Sequence, residues 1–302
     1  KAAEAGQDCS QYALGKIYRD GQGVEKDIQK AVALFTLAAT KENSFAAFAL
    51  GKLYLAGDAA LPRDPAAALK WLTYAAELGN QFAQYRLGKL LLKGDDGIPK
   101  DVIAAIRWLT AAAKQENGYA EYALALVYLT GEDAPKDSVK ALSLLKRSAG
   151  RGNQFAQYRL GKLLLQGEDA PKDVKAAIRW LTAAAEQGNQ YAQYALGKLY
   201  LLGKEVPKDR SSAIKWFQLA TDQGNEYAQY FLEHMDDRLG QPPVAAVISL
   251  FHHLANIFQE QNQPPPSGGV RVAVDRKLLR KIKAKKIAQG HKADDHEPEM
   301  QL

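Results

Sequence analysis

Arg86 and Lys89 stand three residues apart, and so do Arg159 and Lys162. Residues at that spacing are neighbours on one helix face, so each pair could hold a carboxylate through charge-assisted hydrogen bonds. Gln84 and Gln157 precede the two pairs, and Gln193 with Lys198 repeats part of the pattern further on. The helical pattern assigns all eight residues to the face turned away from the apolar positions. Two readings of that face stand side by side: a surface that binds a ligand through acidic groups, and the solvated side of surface helices. Leu126 replaces the lysine in one copy, as a contact residue or as an isolated exposed leucine.

A second cationic group lies near the C-terminus, where residues 270–292 hold nine Lys or Arg against one acid, Asp275. Arg276, Lys277, Arg280, Lys281, Lys283, Lys285 and Lys286 fall on a short helix expected over 276–289. Such a helix can neutralise phosphates with steep salt dependence, dock on an acidic protein, or serve as a solubilising tail. The tail has no aromatic residue to stack on bases, so DNA contact there would be sequence-blind. The last ten residues carry four acids and no base, and residues 1–269 are close to neutral.

Other chemistries find little support. His252 and His253 are adjacent and diverge by about 100° on a helix, whereas two ligands of one metal want a spacing of three or four. His291 and His296 lie in the polar tail. No metal site and no cofactor are expected. No Ser/His/Asp, Cys/His or phosphate-loop pattern occurs, so no catalytic residue is assigned. Cys9 is the sole cysteine, which excludes an internal disulfide and fits a reducing compartment. No apolar run approaches the roughly 20 residues of a membrane-spanning helix.

The elements that position these residues follow from a phrase that returns every 36 or 37 residues: Tyr12-Ala-Leu-Gly-Lys-Ile-Tyr18, Phe48 to Tyr54, Tyr85 to Leu91, Tyr122 to Tyr128, Tyr158 to Leu164 and Tyr194 to Tyr200. A decayed seventh copy runs from Tyr230 to Asp236. A fixed period of that length marks a stacked repeat array. Each repeat has room for two helices. Asn80 is placed to cap the first helix of its repeat, and Ala83, Leu87, Leu90 and Leu91 share one face of it. Asp27, Asp64, Asp101, Asp137, Asp173 and Asp209 are placed to cap the second helices. Seven residues beyond each cap comes a large apolar residue, Leu34, Trp71, Trp108, Leu144, Trp180 or Trp216, expected as the buried knob of the second helix. The mid-helix glycines Gly15, Gly51, Gly88, Gly161 and Gly197 cost about 1 kcal/mol each against alanine, so another helix must approach closely there.

One such hairpin cannot bury its apolar pattern alone, whereas stacked hairpins can. The expected fold is therefore all-α: a right-handed α/α solenoid of about six hairpins over residues 1–239. A capping helix follows over 240–262, with Pro242-Pro243 at its start and Val247, Phe251 and Phe258 in its apolar stripe. A partner-binding helix is the alternative there. A Pro/Gly linker occupies 263–269 and the basic tail 270–302. Lys1 to Ala5 match the last turn of a repeat, so the N-terminus reads as a cut end inside the array.

The phrase Ala-x-Tyr-x-Leu-Gly-x-Leu-Tyr, then Gly203 to Asp209, then Ala-x-x-Trp-Phe/Leu-x-x-Ala-Ala, resembles the Sel1-like repeats, relatives of the tetratricopeptide repeats. The resemblance covers residues 1 to about 239. It implies a scaffold or adaptor that holds a protein or peptide in a concave groove lined by the first helices. Secreted relatives with a cysteine pair in every repeat bind β-lactams; this chain lacks those cysteines. A second resemblance rests on Phe251 to Glu260 and Val274 to Glu297, which look like the C-terminal end of plasmid and transposon mobilisation proteins of Firmicutes. It implies a cytoplasmic bacterial setting in conjugative transfer, with contact to a relaxosome or coupling protein. The nicking chemistry of those relaxases needs a tyrosine and a histidine cluster on a sheet, so nothing catalytic carries over. The rival reading is an enzyme: a nickase completed by an upstream domain, or a hydrolase built in the groove.

Overall fold

The computed structural model describes residues 8–94 and 97–234. They form six antiparallel hairpins in chain order: α1 (Asp8–Asp20) with α2 (Ile28–Ala39), α3 (Ser44–Ala56) with α4 (Pro65–Glu77), α5 (Gln81–Lys93) with α6 (Val102–Lys114), α7 (Gly118–Thr130) with α8 (Ser138–Gly150), α9 (Gln154–Gln166) with α10 (Val174–Glu186), and α11 (Gln190–Leu202) with α12 (Arg210–Asp222). A shorter first helix, α13 (Glu226–His234), follows. Among the described residues there is no β-strand, only an isolated bridge from Asp58 to Leu61. The fold is the all-α solenoid that the period implies. The capping helix, linker and basic tail expected over 240–302 lie outside the described residues.

Local chemistry sets the helix ends. The Asp27, Asp64, Asp101, Asp137, Asp173 and Asp209 side chains each accept from the backbone N–H three residues on, at Lys30, Ala67, Ala104, Lys140, Ala176 and Ser212. Asn43, Asn80, Asn117, Asn153 and Asn189 do the same for the first helices. These bonds satisfy donors that a helix start leaves open. Gly131 closes α7 at φ 71°, ψ 9°, a left-handed conformation that residues with a Cβ avoid.

The buried knob differs from the expected one. Phe35, Leu72, Leu109, Leu145, Leu181 and Phe217, one residue beyond the expected set, are the largest fully buried side chains of the second helices, and of the expected set only Leu144 is also buried. The four tryptophans are half-buried and pack against the core from its margin. One residue is about 100° round a helix, enough to turn the knob onto the first helix of its own hairpin. There it meets the glycine. A Cβ on Gly51 would lie 2.6 Å from Leu72 Cγ, one on Gly161 would lie 2.7 Å from Leu181 Cγ and 3.0 Å from the Ala177 carbonyl oxygen, and one on Gly197 would lie 2.6 Å from Phe217 Cδ1. The close approach inferred from the glycines is real, and the second helix of the same hairpin makes it.

Neighbouring hairpins are also joined through their loops. Lys26 pairs with Asp58 at 2.8 Å, Lys100 with Asp133 at 2.6 Å, Lys136 with Asp169 at 2.8 Å and Lys172 with Glu205 at 2.7 Å. Each pair is solvent-exposed enough to contribute under about 1 kcal/mol, so this ladder sets register more than stability.

Two glycine substitutions separate packing from helix propensity. Gly161→Ala should destabilise the array by about 1–3 kcal/mol, because overpacking outweighs the gain of about 1 kcal/mol in propensity. Gly150→Ala, where nothing lies within 4 Å of the new Cβ, should stabilise it by a few tenths of a kcal/mol. Urea unfolding followed by circular dichroism measures both, and equal signs would contradict the packing account.

Candidate ligand-binding face

The first helices share one exposed stripe, and their sequences explain its character. Aromatic residues stand three apart in every repeat after the first, and they interlock across repeats. Ring centroids lie 6.3 Å apart for Tyr12–Phe45, 6.4 Å for Phe48–Phe82, 5.9 Å for Tyr85–Tyr119, 6.3 Å for Tyr122–Phe155, 6.0 Å for Tyr158–Tyr191 and 6.1 Å for Tyr194–Tyr227. These are ordinary aromatic pair distances, each worth about 0.5–1.5 kcal/mol beyond area burial. Burial pushes the phenols of Tyr85, Tyr122, Tyr158 and Tyr194 up from their ordinary values. The partner rings at Phe45, Phe82, Tyr119, Phe155, Tyr191 and Tyr227 were not singled out in the sequence. Their signal was present, an aromatic residue three before each motif tyrosine or phenylalanine from Phe48 onward.

The ring ladder carries cations. From α3 to α11 the first helices present Lys52, Arg86, Lys89, Lys93, Arg159, Lys162 and Lys198 and only one acid, Glu121, which is fully buried. Arg86 and Lys89 are exposed. Arg159, Lys162 and Lys198 are half-buried, although Gln81 to Leu92 and Gln154 to Leu165 are identical in sequence. Burial pushes the Lys162 ammonium down from its ordinary value, and Arg159 pushes it further. Burial likewise lowers Lys198, with smaller contributions from Lys162 and Lys204. The Arg159 Nε is buried with no hydrogen-bond partner.

Gln84, Gln157 and Gln193 do not belong to this face, which corrects the expectation for them. All three are buried. Gln84 Nε2 donates to the Ala76 carbonyl at the end of α4, at 3.0 Å, and Gln84 Oε1 accepts from Gln115 Nε2 at 2.8 Å. Gln157 makes the same two bonds with Ala149 and Gln187, and Gln193 with Ala185 and Gln223. Each glutamine thus satisfies an open carbonyl at the end of the preceding second helix and ties it to the end of its own. Arg276, Lys277, Arg280, Lys281, Lys283, Lys285 and Lys286 lie outside the described residues.

The fourth repeat replaces this relay by ions. Glu121 stands where the first, third, fifth and sixth repeats have glutamine and the second has Ala47, and it cannot donate while ionised. Arg147 Nη2 donates to the Ala113 carbonyl at 3.4 Å in its place and lies 2.6 Å from Glu121 Oε1. Arg151 Nε lies 3.4 Å from Glu121 Oε2. Burial pushes the Glu121 carboxyl above its ordinary value, against the pull of Arg147 and Arg151 in the other direction. Among the described residues, no three His, Cys, Asp or Glu come together to hold a metal ion. No described helix is long and apolar enough to cross a membrane.

The ionic relay makes opposite predictions for its two sides. Arg147→Ala strands a buried carboxylate and should cost about 3 kcal/mol at pH 7. Glu121→Gln restores the donor of the glutamine-bearing repeats and should be neutral or stabilising there. Because the folded-state value of Glu121 is raised, its contribution is fully present below the unfolded-state value near 4.5 and is lost as pH rises through the folded value. The advantage of Glu121→Gln should therefore grow from acid to neutral pH. Denaturation midpoints measured across that range test both signs.

The Sel1 repeat family pattern matches residues 10–43, 44–80, 81–117, 118–153, 154–189 and 190–225. Among solved structures, a protective antigen of uropathogenic Escherichia coli strains with an SLR fold is 34% identical, with a TM-score of 0.69 over 80% of this chain and 51% of its own. A Sel1 repeat protein from Oxalobacter formigenes is also 34% identical, with a TM-score of 0.71 over 78% of this chain and 67% of its own. The chain thus spans about half the length of the Escherichia coli antigen. No curated protein sequence matches it. Six consecutive repeat matches, carried on six stacked hairpins, show that the chain belongs to the Sel1 repeat family.

Proposed function

We propose that this chain is a non-catalytic protein–protein interaction scaffold whose first-helix face receives an extended, acidic segment of a partner protein. One observation carries the reading: from Ser44 to Leu202 the first helices carry seven exposed or half-buried cations and no accessible carboxylate, along a ladder of aromatic rings. Burying side chains beside such rings supplies apolar contact, and the cations select the sign of the partner. Neighbouring helices in packed arrays lie about 8–10 Å apart, close to three residues of an extended strand at about 3.3 Å each. An extended peptide can therefore meet one repeat every three residues.

The setting in conjugative transfer and DNA contact by residues 270–302 rest on the sequence alone: the resemblance of the C-terminal segment to mobilisation proteins, and its charge. They are kept as a second reading because nine Lys or Arg against one acid in 270–292 is the composition that binds phosphate backbones.

Two experiments test these readings. Charge reversal of the face, by Lys52→Glu with Lys89→Glu and Lys198→Glu, should abolish salt-sensitive capture of partner proteins from the source cell while leaving helicity unchanged; capture of the same proteins by both chains would remove the face from the reading. Deletion of residues 270–302 should abolish retention on duplex DNA that falls steeply with salt, and unchanged retention would remove DNA contact from it.

A further inference from the structure

Arg86–Lys89 and Arg159–Lys162 are copies in sequence but not in setting. The first pair is exposed, so water solvates it. The second is half-buried, and among the described residues neither Arg159 nor Lys162 has an ion-pair partner. The preceding first helix presents Leu126 where α3 presents Lys52, and the following one presents Lys198. Lys162 therefore lies between an apolar position and another cation. Asp169 feels the charge of Arg159, and its carboxylate is already taken by Lys136 at 2.8 Å and by the Ser138 hydroxyl at 2.8 Å. Arg159 also acts on the Tyr122 and Tyr158 phenols, so its guanidinium lies beside the ring ladder with its Nε buried and unbonded. A folded chain rarely holds two partly buried cations side by side with no counter-ion, because their desolvation costs free energy that an acidic ligand can offset.

From this cluster we infer a carboxylate-anchoring subsite at Arg159 and Lys162, flanked by Lys198, that fixes one acidic side chain of the bound peptide in the fifth repeat. The inference rests on the acidic-segment reading of the whole face and adds where its strongest contact lies. Arg159 can offer its two Nη groups end-on to the two oxygens of one carboxylate, a fork geometry that suits guanidinium. Lys162, one turn away on the same helix, adds a compact charge. A peptide fits better than a nucleic acid. The cation row is broken at Ala123 and Leu126 of α7, where a phosphate backbone would need continuous neutralisation.

The test uses the full chain and a biotinylated hexa-aspartate peptide, coupled to lysine amines by a zero-length carbodiimide and mapped by mass spectrometry. The largest adduct is expected on Lys162, with Lys198 next. Arg159→Ala should cut coupling at Lys162 at least fivefold while Lys52 stays within twofold of the parent chain. Circular dichroism of the variant checks that the helices are intact, and Arg159→Lys, which keeps the charge but loses the fork, should recover only part of the yield. Adducts spread over Lys52, Lys89, Lys162 and Lys198 in proportion to their exposure would overturn the subsite and leave the acidic-segment reading standing. Coupling confined to the second helices or to residues 270–302 would overturn both. Protection of Lys162 by an oligothymidylate of equal charge, but not by hexa-aspartate, would assign the patch to nucleic acid and overturn the proposal.

Discussion

The contact between a glycine of the first helix and a large buried side chain of the second sets the geometry of every hairpin that has one. With no Cβ at Gly51 or Gly161, Leu72 and Leu181 descend to the backbone of the facing helix. The two helices approach until only a hydrogen atom separates side chain from backbone, and at native packing density such a contact has no room for even one methyl group. The glycine weakens its own helix in isolation. The helix is held instead by tertiary packing, so each hairpin exists because it is packed, and it stays packed because its neighbours supply walls.

Stacking then turns a local pattern into a long-range one. The aromatic rings, the glutamine relay and the loop ion pairs each join one repeat to the next at fixed positions, 30 to 34 residues apart in sequence. None is strong alone. Together they specify register, and register brings the cations of successive first helices onto one stripe. The proposed scaffold role rests on that alignment. A rigid row of repeated contacts binds an extended segment without reorganising, which lowers the entropic cost of association.

Much of this was legible in the sequence, for a physical reason. Helix caps obey local chemistry, so Asp101 and Asn80 could be read from their position alone. The period fixed the number of hairpins, and the glycines announced a close approach. The failures were tertiary. Trp108 looked like the knob because it is the largest apolar residue near the cap, yet Leu109 faces the glycine, and a shift of one residue turns the answer. Gln84 looked exposed because it is polar, and its burial depends on the Ala76 carbonyl of another hairpin. The different settings of Arg86 and Arg159 could not be read at all, since their local sequences are the same and their neighbours decide.

Glu121, Arg147 and Arg151 add a constraint on how the array can evolve. The third and fifth hairpins are near copies, which invites unequal exchange between their coding segments. A crossover that kept α7 but joined it to a helix like α10 would set Glu121 against Ala183 and Gln187, which stand where Arg147 and Arg151 do, and would bury a carboxylate with no counter-ion. An exchange that cuts between α7 and α8 would therefore strand Glu121, whereas one that moves the fourth hairpin whole would keep its ion pairs.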